Sequence, residues 1–117
     1  MSLQLDIQGR VLIATPEGEL DHHKAERLRI QIDSAYEKSP CRHMILDMSA
    51  VSFMDSSGIG MIIGRYKNAE KRGGQLALAR LNPNLSKLFE LSGLAKIVLR
   101  TQTVEAALES LGGYSHD

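Results

Sequence analysis

HMILDMSAVSFMDSSGIGMIIGRYKNAEKRGG, His43 to Gly74, decides the fold. It begins with a short apolar run, Met44-Ile45-Leu46, and passes through an acid and two hydroxyls at Asp55, Ser56 and Ser57. It then turns apolar at helical spacing, at Ile59, Ile62, Ile63, Tyr66 and Ala69, until Gly73-Gly74 stops the pattern. A continuous apolar triplet reads as a buried strand, and a period near 3.6 reads as an amphipathic helix. A buried strand feeding a helix is the building unit of a parallel sheet with helical crossovers.

The same unit recurs on both sides. Upstream, Leu3, Leu5 and Ile7 alternate with polar residues, and Val11 to Ala14 is apolar after Gly9-Arg10. This predicts an N-terminal antiparallel strand pair joined by a tight turn. Pro16 cannot donate to a ladder, so the second strand should end at an edge or a bulge. Asp21 stands where an N-cap is wanted, and Ala25, Leu28, Ile32, Ala35 and Tyr36 predict a helix to about Lys38. Downstream, Leu76 to Ala79 reads as a buried strand, and Asn82-Pro83 as the cap and first position of a third helix. Its inner face would be Leu85, Leu88 and Phe89, with Leu91 also in the core and Gly93 closing the helix. Ile97-Val98-Leu99 reads as the last strand, and Thr103 as the cap of a final helix carrying Val104, Ala107, Leu108 and Leu111.

The expected architecture is therefore α/β, a single domain over residues 1–111 in the order ββαβαβαβα. It has a mixed, mostly parallel sheet of about five strands with four helices, and residues 112–117 are read as a flexible tail. In such sheets ligands and partners meet the loops at the carboxyl ends of the strands. Asp55 to Gly58 falls at that end.

Bulk composition narrows the function. The chain has 117 residues with 14 basic and 14 acidic side chains, and this zero balance argues against nucleic acid as the main partner. A lone cysteine, Cys41, excludes an internal disulfide framework, fits a reducing compartment and reads as a partly buried or loop thiol. The start MSLQLDIQGR has no apolar signal segment, and no apolar run approaches the ~20 residues of a membrane span. The expected location is the cytoplasm.

At Asp55-Ser56-Ser57 a nucleophile, a phosphate cradle, a helix cap and a substrate site for another enzyme compete. A serine nucleophile needs an oriented base and an oxyanion hole. The surroundings do not read G-x-S-x-G, and nothing marks His22, His23, His43 or His116 as that base. A phosphate cradle would need more glycines and a nearby lysine, whereas Lys67 lies well down the helix. Adjacent His22 and His23 would point about 100° apart on a helix, a poor start for a metal site. A plain helix N-cap accounts for Asp55, with Ser57 helping to cap or to orient Ser56.

The cap does not account for Gly60 and Gly64, each about 1 kcal/mol worse than alanine inside a helix. Four residues apart, they are read as one solvent stripe with Ser57, Met61, Arg65 and Asn68, shaped for close approach by another protein. An exposed Met61 would suit an adaptable contact. The basic residues Arg65, Lys67, Lys71 and Arg72 are otherwise expected on a solvated helix face.

The residues SFMDSSGIGMIIGRYK, Ser52 to Lys67, resemble the signature helix of the anti-sigma factor antagonists, which are small single STAS domains. GELDHH, Gly18 to His23, and NPNLSKLFELSGLAKI, Asn82 to Ile97, resemble the flanking motifs in the same order. GELDHH together with SFMDSSG is similar to the sporulation branch rather than the general-stress branch.

The resemblance implies a partner switch without catalytic residues, cofactor or metal. The unphosphorylated protein would bind an anti-sigma factor serine kinase and release sporulation sigma factor F. The kinase would then phosphorylate Ser56, the first serine after the aspartate, and a PP2C-type serine phosphatase would restore binding. Asp21, His22, Asp55, Ser56, Ser57, Gly58, Gly60, Met61, Gly64 and Arg65 would meet the kinase, and the protein alone would be a monomer. Two other classes stay open: a nucleotide or small-ligand sensor or scaffold, and the equivalent antagonist of a stress-response pathway.

Overall fold

The computed structural model describes residues 3–112. Seven strands and four helices alternate along it. They are β1 (Leu3–Gln8), β2 (Val11–Pro16), β3 (Gly18–Leu20), α1 (His22–Lys38), β4 (His43–Asp47), β5 (Val51–Met54), α2 (Ser56–Lys71), β6 (Leu76–Ala79), α3 (Pro83–Leu91), β7 (Leu99–Thr101) and α4 (Val104–Leu111).

Five strands form the main sheet in the order β1-β2-β4-β6-β7. β1 runs antiparallel to β2 and the remaining neighbours are parallel, as the sequence predicts. Gln8 pairs with Val11, so Gly9-Arg10 is a two-residue turn, with Gly9 supplying a φ of 61°. Pro16 pairs only with Leu3, because the parallel register with β4 ends at Ala14. The missing N–H therefore leaves no hole in the sheet interior.

Strand alternation splits the core in two. On one face Leu12, Ala14, Met44, Leu46, Leu76 and Leu78 pack against residues of α1, α2 and α3, among them Leu28, Ile32, Ile62, Leu85 and Phe89. On the other, Val11, Ile13, Ile45, Ala77 and Ala79 pack against Ala107, Leu108 and Leu111 of α4. Cys41, expected to be partly buried, is 1% exposed and sits in the larger core.

All four helix starts lie where the sequence places them. Asp21, Asp55, Asn82 and Thr103 are the N-caps, each accepting a backbone N–H within its helix. Gly112 ends α4 with φ of 70°, donating its N–H to Leu108 and Glu109 carbonyls. The remainder of the expected tail lies outside the described residues.

Three expectations are corrected. The last strand begins at Leu99, not Ile97: Gly93 takes a φ of 82° and opens a 3-10 turn over Leu94–Lys96, whose first carbonyl captures the N–H groups of Ile97 and Val98. Leu91 is 76% exposed and is not core, because α3 turns Leu85 and Phe89 inward and position 91 lies nearly opposite Phe89. The predicted order also lacks β3 and β5, which pair with each other in a separate two-stranded parallel sheet.

Candidate functional site

That small sheet assembles the site. β3 delivers the chain to Asp21 and β5 delivers it to Asp55, with Leu20 paired to Met54 in parallel register. The Asp55 N–H reaches the Leu20 carbonyl at 3.5 Å, so the two helix N-termini start side by side. His22, Ala25, Glu26 and Arg29 of α1 and Ser57, Gly60 and Met61 of α2 line the cleft between them, a space of about 230 Å³.

Each residue's role at this junction follows from its bonds. Asp55 Oδ1 accepts the Ser57 N–H at 2.8 Å, and the Asp55 carbonyl accepts from Gly58 and Ile59. Asp55 is the cap; Ser57 contributes its amide to that cap rather than capping with its hydroxyl. Ser56 is the first residue of α2 and is exposed, while Ser57 is half-buried against α1. Asp21 is exposed and accepts from Lys24 N–H at 3.0 Å, and that bond holds its carboxyl below the usual range. The exposed His22 meets His23 edge to face, ring centroids 5.9 Å apart.

The three glycines divide by function. Gly58 is buried, and a Cβ there would lie 2.7 Å from Met54 Cβ, so β5 and α2 touch through it. Gly60 is exposed and Gly64 half-buried, and a Cβ on either would meet nothing within 4 Å. Neither is needed by this chain's own packing.

Two members of the expected docking stripe are not on the surface. Met61 and Arg65 are each 4% exposed. Helix α2 buries one face on the sheet, through Ile62 and Ala69, and a second against α1, where Met61 and Arg65 lie. Arg65 Nε stands 2.8 Å from Asp33 Oδ1, and Arg65 Nη1 donates to the Met61 carbonyl at 3.3 Å. Asn68 is also turned to α1, donating to Asp33 at 2.9 Å. The outward stripe that remains is narrow: Ser56, Gly60, part of Gly64 and Lys67.

Sequence reasoning also missed Arg72. Expected on a solvated basic face, its guanidinium instead donates to the carbonyls of Glu37, Ser39 and Cys41 and lies 4.2 Å from the Tyr36 ring centroid. It closes the C-terminus of α1. Lys67 and Lys71 are exposed as expected.

A second surface feature borders the site. Phe53, Met54, Asn84, Leu85, Lys87, Leu88 and Leu91 line an open groove of about 350 Å³ between β5 and α3. Phe53 is 53% exposed, an unusual state for a large aromatic. No feature in the local sequence marks this groove, because it needs β5 and α3 to be neighbours. Among the described residues no helix is long and apolar enough to cross a membrane.

Residues 2–109 match the STAS domain family. The chain is 42% identical over 100 residues to the anti-sigma F factor antagonist of Paenibacillus polymyxa, covering 84% of this chain and 86% of that one. It is also similar to the solved structure of the anti-sigma factor antagonist SpoIIAA in its unphosphorylated form, with a TM-score of 0.71, 28% identity and coverage of 92% and 94%. For the Bacillus cell fate determinant SpoIIAA in the phosphorylated form the TM-score is again 0.71, with 33% identity and coverage of 92% and 97%.

Proposed function

The chain belongs to the STAS domain family, among the anti-sigma factor antagonists, and from that premise we propose that it is a phosphorylation-controlled partner switch. Its unphosphorylated form binds an anti-sigma factor serine kinase and thereby releases sporulation sigma factor F. Phosphorylation at Ser56 ends the contact, and a PP2C-type serine phosphatase reverses it. The chain acts alone as a cytoplasmic monomer and is a substrate and binder rather than an enzyme.

The observation that carries this reading is the position of Ser56. It is exposed at the first position of α2, immediately after a cap whose carboxylate is already engaged with the Ser57 N–H. Its hydroxyl is open to another protein's active site. Ser57, turned toward α1, is the poorer acceptor.

The same geometry supports a local mechanism for the switch. A phosphate adds about −1.5 to −2 charge and three acceptor oxygens. The α2 dipole favours an anion at this end by about 0.3–1 kcal/mol. Asp55 occupies the nearest amide, so the phosphate is left facing outward beside an existing carboxylate. The fold then has little reason to change. A docked partner must instead desolvate both charges, and about 1.4 kcal/mol is already tenfold in affinity.

The test is to mix the protein with the anti-sigma kinase and ATP, following complex formation and mass. We expect a complex, then gain of one phosphate, mapped to Ser56, then dissociation. Label should vanish in Ser56→Ala and persist in Ser57→Ala. The reverse pattern moves the acceptor to Ser57, and neither complex nor label removes the reading.

A further inference from the structure

We propose that the groove between β5 and α3 is an anchor site for the kinase that docks at Ser56, taking an apolar side chain of that kinase flanked by an acidic one. The inference rests on the function proposed above and names a second contact of the same complex.

The first observation is what the α2 stripe lacks. A stoichiometric complex needs an interface of about 600–1,000 Å² per partner, with a few large, well-buried anchors near its centre. With Met61 and Arg65 buried inside the chain, the outward stripe of α2 around Ser56 carries only small residues, Ser56, Gly60 and Gly64, beside Lys67. Small residues permit close approach but supply little apolar area. The large exposed apolar side chain nearest to Ser56 along the chain is Phe53, and Leu91 lines the same groove as Phe53.

The second observation is continuity. Phe53 lies three residues before Ser56 on one strand-to-helix passage. Met54 lines the groove, and Gly58 of α2 rests on the same Met54 side chain. A partner covering Ser56 therefore reaches the groove without crossing an intervening element.

The groove is also held in a fixed relation to Ser56. Asn82 Oδ1 caps α3 by accepting the Leu85 N–H at 2.8 Å. Its Nδ2 donates to the carbonyls of Val51 at 3.3 Å and Ser52 at 3.4 Å, on β5. One amide thus ties the start of α3 to the strand that delivers Ser56, so the two contacts are presented as one surface and little ordering is required on binding.

Charge defines the occupant further. Lys87 lies on the groove wall, is exposed, and has no carboxylate within ion-pair distance among the described residues. A groove of about 350 Å³ with walls of Phe53, Leu85, Leu88 and Leu91 holds one or two large apolar side chains. A carboxylate beside them would meet Lys87. A phosphatase acting in turnover needs only a transient hold on phosphorylated Ser56, whereas the kinase must stay bound, so the anchor belongs to the kinase.

The experiment measures Phe53→Ser, Leu91→Ser and Lys87→Glu in full-length protein, all on exposed positions, with urea unfolding to verify the fold. Affinity for the kinase loaded with a non-hydrolysable ATP analogue is measured first, then phosphorylation kinetics, then dephosphorylation of the phosphorylated variants. Each serine variant is expected to bind about tenfold or more weakly, as an anchor truncation does. KM for phosphorylation should rise with kcat nearly unchanged, because Ser56 is untouched. Lys87→Glu should weaken binding most at low salt.

Kinase affinities matching wild type would overturn the proposal, as would a defect seen only in dephosphorylation. Sedimentation showing that the wild type self-associates through these residues would also overturn it. A wild-type protein that does not bind the kinase at all would remove the functional reading itself, which distinguishes that failure from failure of the groove.

Discussion

The buried Arg65 of α2 and the half-buried Asp33 of α1 form an ion pair, Nε to Oδ1 2.8 Å, in the seam between the two helices that flank the candidate site. The Nε–H is not aimed along that line, so the contact is an ion pair rather than a linear hydrogen bond. Burial pushes the guanidinium toward losing its proton, and Asp33 opposes that. Removing Asp33 strands the guanidinium in a dry place, whereas Asp33, 20% exposed and accepting from Asn68, keeps water and a donor when Arg65 is gone. Asp33→Ala is therefore expected to destabilise the fold by about 3 kcal/mol, and Arg65→Met, which keeps the length and removes the charge, by distinctly less. Urea unfolding at pH 7 measures both, with an unchanged m-value required for the comparison.

Glycine substitutions along α2 should split by sign. Gly60→Ala and Gly64→Ala add a methyl into open space and remove the helix penalty, so each should raise stability by up to about 1 kcal/mol. Gly58→Ala drives a Cβ against Met54 Cβ at 2.7 Å and should lower it. The two stabilising changes should nonetheless weaken kinase binding, because they fill the stripe a partner must approach. Thermal unfolding and a binding titration on the same three variants check both halves. A Gly60→Ala protein that binds as well as wild type would show that close approach at this stripe is not required.

The contrast between Gly58 and Gly60 also shows what the sequence can and cannot reveal. Caps and periodicity are local, and Asp21, Asp55, Asn82 and Thr103 could be read directly as helix starts. The main sheet's strands carry apolar runs long enough to see. β3 and β5 span only three and four residues, and their pairing rests on neighbours about 30 residues away, so they left no local signature. Those two strands are what bring Asp21 and Ser56 together. Met61 and Arg65 were misplaced for a related reason. A helix with one buried face shows its inside by period alone, but α2 has a second buried face set by α1, and an arginine gives no sign in advance that Asp33 will be there to pair with it. The exposure of Ser56, by contrast, follows from its place at the first turn.

His43 should make stability depend on pH near neutrality. Its Nδ1 accepts the Gln75 N–H at 3.0 Å, which requires the neutral ring, and burial followed by the nearby Arg42 charge lowers its pKa from the ordinary 6.5. The unfolded chain therefore takes up this proton at higher pH than the folded one. His43's contribution is complete above the unfolded pKa and is lost as pH falls through the folded value. The expected result is a decline in unfolding free energy from pH 7 toward pH 5, flattened in His43→Gln. An identical slope in the variant would place that dependence on other groups.

Arg80 sets two effects against each other, and their sum can be measured. It is the only non-glycine residue with positive φ among the described residues, at 61°, a conformation that costs a side-chain-bearing residue about 1–2 kcal/mol. The same conformation brings its guanidinium onto Asp47, with Nε 3.1 Å from Oδ1. Burial acts to raise the Asp47 pKa, yet the bonds from Arg80 and from the Ser49 N–H hold it below the usual carboxylate range. Arg80→Gly relieves the backbone and strands the Asp47 carboxylate, which is 6% exposed. Because the arginine is itself half-exposed, the loss should be smaller than for a fully buried pair, giving a net destabilisation of about 1–3 kcal/mol at pH 7. Asp47 contributes above its unfolded pKa of about 3.9 and loses that contribution as pH falls through the folded value. The gap between wild type and Arg80→Gly should therefore close in acid, and below that range the glycine variant should be the more stable of the two. A gap that persists unchanged to pH 3 would mean that the ion pair with Asp47 is not what holds Arg80 in its left-handed backbone.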